Sequence, residues 1–288
     1  MPSFEFAQPT SLEEALQLFA APGEVRALVG GTDIVDQLKT GRRNADMVVD
    51  VKRIPELQRL ESTDDGLHIG AARSCTDVGE FPAVRSTYRA LADSALLIGS
   101  WQIQNRAGVG GNVCNAAPSG DTIPALLSHE ARAVIASASG RREIALSDFF
   151  AGPGQTVLQK GEILVELILP SPPANSASSY LRFIPRNEMD IAVAGVGSFL
   201  QLDPANNTVK KARIALASVA PTPVRARAAE EALEGNVLTD DLIATAASAA
   251  VEAATPITDV RGSAEYRREL VRVLTGRTLG ICRDRING

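Results

Sequence analysis

Apolar residues recur at helical spacing directly after position 11. Leu12, Ala15, Leu16 and Phe19 share one face, Ser11 and Glu14 form a capping pair ahead of them, and Pro22-Gly23 ends the run. The spacing predicts a short amphipathic helix. Apolar runs of strand length follow at 25–29 and 47–51, so the chain opens as a small α/β unit. After Ile54-Pro55-Glu56-Leu57 the pattern changes. Asp65-Gly66 predicts a hairpin between Leu60 and 67–70, Ser139-Gly140 another between 131–137 and 142–146, and 163–169 supplies a further strand. Helices are expected at 91–97 and 123–127. The segment 170–176, rich in proline and polar residues with no apolar period, reads as a linker. Strands at 191–202 and 208–217 and helices at 224–233, 240–254 and 263–274 complete a mixed α+β pattern.

Two glycine-rich segments interrupt this pattern. Val29-Gly30-Gly31-Thr32-Asp33-Ile34 ends the first strand run. Arg106-Ala107-Gly108-Val109-Gly110-Gly111-Asn112 lies between the central helices and is followed by Asn115 to Asp121. Runs of small residues let successive backbone N–H groups approach one anion, a phosphate cradle. The same glycines also serve tight turns, and for either segment taken singly that role is the better reading. A Rossmann fingerprint requires Gly where Val113 stands. A P-loop requires Lys and Ser or Thr after the glycines, and neither pair has them.

Composition narrows the function. At 288 residues the chain is long enough for two domains, and a net charge of −5 with scattered Lys and Arg offers no basic stripe for nucleic acid. No stretch approaches the roughly 20 apolar residues of a membrane span, and the N-terminus does not read as an export signal. Cys75, Cys114 and Cys282 are too few and too dispersed to ligate a cluster, so reduced cysteines in a cytoplasmic protein are expected. With His68 and His129 as its two histidines, the chain has little material for a histidine metal site or a Ser-His-Asp triad.

With both glycine segments and the linker placed, the chain resembles the FAD-binding medium subunit of molybdenum hydroxylases. That family includes the medium subunit of carbon monoxide dehydrogenase and the flavin domain of xanthine dehydrogenase. The resemblance also rests on Val49-Asp50, Ile69-Gly70-Ala71, Gly161-Glu162-Ile163-Leu164, Asp190-Ile191-Ala192, Val219-Ala220-Pro221-Thr222-Pro223 and Asp259-Val260-Arg261-Gly262-Ser263, covering essentially the whole chain. It implies a vanillyl-alcohol-oxidase-type FAD-binding fold in residues 1–173, with subdomains of about 1–57 and 58–173. A C-terminal domain of small antiparallel sheet plus helices would occupy 177–288.

By the same resemblance, Val29, Gly30, Gly31, Thr32, Asp33 and Ile34 clasp the FAD diphosphate with Gly108, Val109, Gly110, Gly111 and Asn112. The glycines give close backbone approach, and Thr32 and Asn112 add side-chain donors. Asp33 turns away from phosphate, either to cap a helix or to meet a sugar hydroxyl. Asp121 matches a cofactor-contacting position that a loop-bracing Asp would fill equally well. Leu164 matches a flavin-lining residue, with core packing as its alternative. Arg182 stands where a cation, commonly Lys, approaches the flavin pyrimidine edge and raises its potential. For Arg186 and Asp190 a surface ion pair is the first reading.

Gly108 departs from the Thr or Ser common at its position, and the four-Cys insertion of hydroxybenzoyl-CoA reductase flavin subunits is missing. The implied function is noncovalent FAD binding and electron transfer. Electrons come from 2Fe-2S clusters of a small subunit, substrate is oxidised at the molybdopterin cofactor of a large subunit, and the assembly is a dimer of heterotrimers. A stand-alone flavin oxidase and a flavin-free binding or assembly protein are the rivals.

Overall fold

A computed structural model describes residues 3–288, so the first two positions of the expected 1–173 domain lie outside the described residues. The opening unit runs β1 (Glu5–Ala7), α1 (Leu12–Ala20), β2 (Val25–Leu28), α2 (Ile34–Lys39) and β3 (Met47–Asp50). Its strands form a parallel sheet in the order β1-β3-β2, as helical crossovers allow. Helix α1 starts where its capping pair places it. Ser11 Oγ accepts from the Glu14 N–H at 3.2 Å, and Glu14 Oε2 reaches back to the Thr10 N–H at 3.0 Å.

The second unit contains β4 (Leu60–Thr63), β5 (Gly66–Gly70), β6 (Arg132–Ser137), β7 (Gly140–Ala145), the short pair β8 (Phe150–Gly152) and β9 (Gln155–Thr156), and β10 (Ile163–Leu169). The five long strands pair antiparallel in the order β4-β5-β10-β6-β7. Central placement explains the largely apolar sequence of β10, which is buried throughout. Its one charged residue, Glu166, meets Arg59 and His68, each at 3.2 Å. Between β5 and β6 the chain forms α3 (Cys75–Glu80), α4 (Pro82–Ser86), α5 (Arg89–Ala95), α6 (Trp101–Gln104), α7 (Val109–Asn115) and α8 (Thr122–Ser128).

The third unit is an antiparallel sheet of β11 (Ser176–Phe183), β12 (Ala194–Leu202), β13 (Val209–Ala217) and β14 (Val224–Arg225), covered by α9 (Arg227–Leu233), α10 (Asp240–Ala250) and α11 (Ala264–Asn287). Helices α5 and α8 pack against this sheet and join it to the second unit. Gly197 makes the close approach possible, because a Cβ there would lie 2.7 Å from the Pro124 backbone. Hydrogen bonds reinforce it: the Ser218 N–H donates to the Pro118 carbonyl at 2.7 Å and the Ala90 N–H to Ser178 Oγ at 3.0 Å.

Several expected elements change. The second glycine segment is the first turn of a helix rather than a loop, with Gly108 at the N-cap of α7. The expected helix at 224–233 begins as β14, because Val224 and Arg225 extend β13's pairing before α9 starts. The helix expected to end at Leu274 runs on to Asn287, since Thr275, Thr278, Leu279 and Cys282 continue its buried face. The strand expected from 191 starts at Ala194, and β11 takes up Ser176 from the expected linker.

Candidate functional site

The two glycine segments abut, and their glycines have different tasks. A Cβ on Gly30 would fall 1.9 Å from the Arg106 carbonyl oxygen, and one on Gly110 would fall 2.4 Å from that of Ala71. Both glycines therefore make room for neighbouring backbone. Gly31 has φ +77, a left-handed conformation that L side chains rarely adopt. Gly111 fits none of these reasons. The nearest protein atom to its virtual Cβ is Val29 Cβ at 4.0 Å, so this face is open.

Backbone donors surround that opening. Among the described residues, none accepts from the N–H groups of Gly30, Gly31, Thr32, Asp33 or Ile34, where the chain turns into α2. The N–H groups of Gly110 and Gly111 are likewise free, as first-turn helix donors are, whereas that of Val109 is used by the Arg73 carbonyl at 3.0 Å. Asn112 Oδ1 accepts from Thr122 Oγ1 at 2.7 Å, leaving Nδ2 as its donor. The segments are tied together by Gln37 Nε2, which donates to Asn115 Oδ1 at 2.9 Å. Asp33 occupies the N-cap position of α2 without a side-chain capping bond. The surrounding chain, and then Asp36, raise its pKa although the residue keeps an exposed face. Free backbone donors around the open face at Gly111 suit a diphosphate held by backbone.

A second cluster joins the second and third units. Asp121 leads into α8 and is buried. Its Oδ1 accepts from the Tyr180 hydroxyl and its Oδ2 from Arg182 Nη1, both at 2.7 Å. Arg182 Nη2 donates to the Leu97 carbonyl at 2.7 Å, and the side chain is 5 % exposed. Burial raises the pKa of Asp121 against the opposing pull of Arg182 and Tyr180. Burial and the adjacent Asp121 push the Tyr180 phenol well up. Tyr180 and Arg182 are two apart on β11 and share a face, in a strand that is not among the expected elements.

The remaining candidates are set apart. Leu164 is buried in the core at a bulge in β10. Arg186 meets Asp190 at 3.7 Å, and Asp190 also faces Arg261 at 3.9 Å, the surface pairing expected of them. Two surface depressions of about 280 and 460 Å³ lie elsewhere, the first beside Leu97 and the second between α1 and the β6–β7 hairpin. Neither is lined by a residue of the glycine segments.

The chain matches two family models, "FAD binding domain in molybdopterin dehydrogenase" over residues 2–172 and "CO dehydrogenase flavoprotein C-terminal domain" over residues 179–281. It is 31% identical to the glyceraldehyde dehydrogenase medium chain of Sulfolobus acidocaldarius, covering 95% of this chain and 96% of that one. It is also 31% identical to the nicotinate dehydrogenase FAD-subunit of Eubacterium barkeri, covering 94% and 93%. Its structure is similar to that of a chain in carbon monoxide dehydrogenase from Hydrogenophaga pseudoflava, with a TM-score of 0.93, 31% identity and coverage of 99% and 98%. Matched by both models and by these relatives along almost its entire length, the chain belongs to the FAD-binding flavoprotein subunits of the molybdenum hydroxylases.

Proposed function

We propose that the chain binds FAD noncovalently and relays electrons from the 2Fe-2S clusters of a small subunit to an external acceptor. Substrate is oxidised at the molybdopterin cofactor of a large subunit, within a cytoplasmic dimer of heterotrimers. Residues 1–173 form the FAD-binding domain and 177–288 complete the site through Arg182.

The observation that carries the reading is Gly111, whose side-chain direction is open among free N–H donors. In this reading the Gly30–Ile34 backbone, with Val29 at its start, grips one side of the diphosphate. Gly108 to Asn112 grip the other, chiefly through the Gly110 and Gly111 N–H groups and Asn112 Nδ2. Thr32 adds a hydroxyl. Leu164 has so little exposed surface that its part is minor. Bound FAD supplies a redox centre able to take electrons singly and deliver them singly or in pairs. Asp121 and Arg182 lie toward its ring system.

The rival stand-alone oxidase finds no free acid or base in Tyr180 or the two histidines. The Tyr180 hydroxyl is committed to Asp121, His129 is buried with its pKa pushed down to about 3, and His68 is held between Glu166 and Asp65. Relatives whose names cite glyceraldehyde and nicotinate match this chain along almost their whole length. That fits a substrate choice made on another subunit.

Rapid mixing of the reconstituted complex with its substrate tests the relay. FAD reduction following cluster reduction is expected. FAD that stays oxidised while the clusters reduce would remove the electron-transfer role.

A further inference from the structure

The cluster at the junction of α8 and β11 has one unexplained donor. Arg182 Nη1 is bound by Asp121 and Nη2 by the Leu97 carbonyl, so the guanidinium is held from two directions. Its Nε is buried and has no partner among the described residues, an expensive omission for a charged group. Asp121 is equally constrained, because Tyr180 occupies Oδ1 and thereby presents Oδ2 to the arginine. Tyr180 is itself locked. It is 1 % exposed, and Gly195 leaves it room, since a Cβ there would stand 2.6 Å from its hydroxyl.

We propose that Asp121, held by Tyr180, is a positioning residue that aims Arg182 and offsets part of its charge, setting the potential of the bound flavin. The inference rests on the reading that Arg182 borders the flavin. A bare cation beside the pyrimidine edge favours the negative charge of the reduced ring and raises the potential. A carboxylate 2.7 Å from that cation weakens its field, because opposite charges at hydrogen-bond distance act on a third site almost as a dipole. Tyr180 acts through Asp121, and Asp121 through Arg182.

The test is the midpoint potential of FAD in the loaded full chain, compared among wild type, Arg182→Leu, Asp121→Asn and Tyr180→Phe. Arg182→Leu is expected to lower the midpoint and Asp121→Asn to raise it. Each change should reach about tenfold in the ratio of reduced to oxidised FAD affinity, about 30 mV for a two-electron couple. Tyr180→Phe removes one hydroxyl and nothing else, and is expected to shift the midpoint upward by less. It carries the same test if Asp121→Asn does not retain FAD. A lowered midpoint in Arg182→Leu with no rise in Asp121→Asn, or in Tyr180→Phe standing in for it, overturns the charge offset while leaving the flavin placement intact. An unchanged midpoint in Arg182→Leu overturns the placement itself. A purely structural Asp121 would change thermal stability without moving the potential.

Discussion

Gly110 and Gly111 are adjacent, and the same substitution separates structure from function between them. Alanine at Gly110 would drive a methyl group into the Ala71 backbone, 2.4 Å from its carbonyl oxygen, and is expected to cost about 1–3 kcal/mol of stability. Alanine at Gly111 meets only Val29 Cβ at 4.0 Å, so stability should hold or rise by up to about 1 kcal/mol through helix propensity. FAD affinity should nevertheless fall about tenfold or more, equivalent to about 1.4 kcal/mol. Urea unfolding and FAD titration of both variants check this, and a Gly111→Ala protein with wild-type affinity would put the cofactor elsewhere. His129 illustrates the acid side of stability. It sits between the rings of Tyr88 and Phe199 and shares a hydrogen bond with Ser178 Oγ at 2.8 Å. Burial holds its pKa near 3, down from 6.5, so the unfolded chain takes up a proton that the folded chain refuses between those values. Stability is therefore lost as pH falls below 6.5. Between pH 7 and pH 5 the loss from this residue should be about 2 kcal/mol, and His129→Gln should largely remove it in urea unfolding at the two pH values.

At the scale of elements, what the sequence revealed depended on whether a local signal agreed with tertiary packing. The Ser11 cap, the Asp65-Gly66 hairpin and the apolar run of β10 carry agreeing signals, and each appears where expected. Helix α7 was hidden because its first turn consists largely of glycine and valine, poor helix formers. The Val109 N–H bond to Arg73 and the Cys75 N–H bond to the Ala107 carbonyl position that turn from a distant segment. Helix α11 was read short for the same reason. Gly276 and Gly280 interrupt its propensity, and burial against β11 and β12 carries it past them. Gly280 has no heavy atom within 4 Å of its virtual Cβ, so it contributes backbone freedom without packing. Gly280→Ala is expected to raise unfolding stability by about 1 kcal/mol, measured as a higher urea midpoint with an unchanged slope. The site had a similar limit. The glycine segments were legible as motifs, whereas the pairing of Asp121 with Tyr180 and Arg182 depends on α8 lying against β11, a contact across 59 residues that no local pattern encodes.

For the whole molecule, α8 is the strut on which the site depends. Asp121 at its start holds Tyr180 and Arg182, while Glu130 just beyond its end meets Lys211, Arg213 at 2.6 Å and Arg225 at 3.7 Å from the C-terminal unit. Burial works to raise the pKa of Glu130, but hydrogen bonds from Lys211 and Arg213 outweigh it and bring the carboxyl down to about 2. Its folded pKa is depressed, so its stabilisation is present above about pH 4.5 and is lost as pH falls toward 2. With the side chain 35% exposed, the neutral-pH effect of Glu130→Gln should be modest, about 1 kcal/mol, and acid unfolding should lose its dependence on that window. The measurement that most directly tests FAD binding is the visible spectrum of the purified full chain, with acid release and identification of its cofactor, set beside folded Gly111→Val. Wild type is expected to carry or take up stoichiometric FAD, and the variant to remain colourless. A wild-type chain that stays colourless in added FAD, or a variant that retains it fully, would contradict the assignment of the glycine segments.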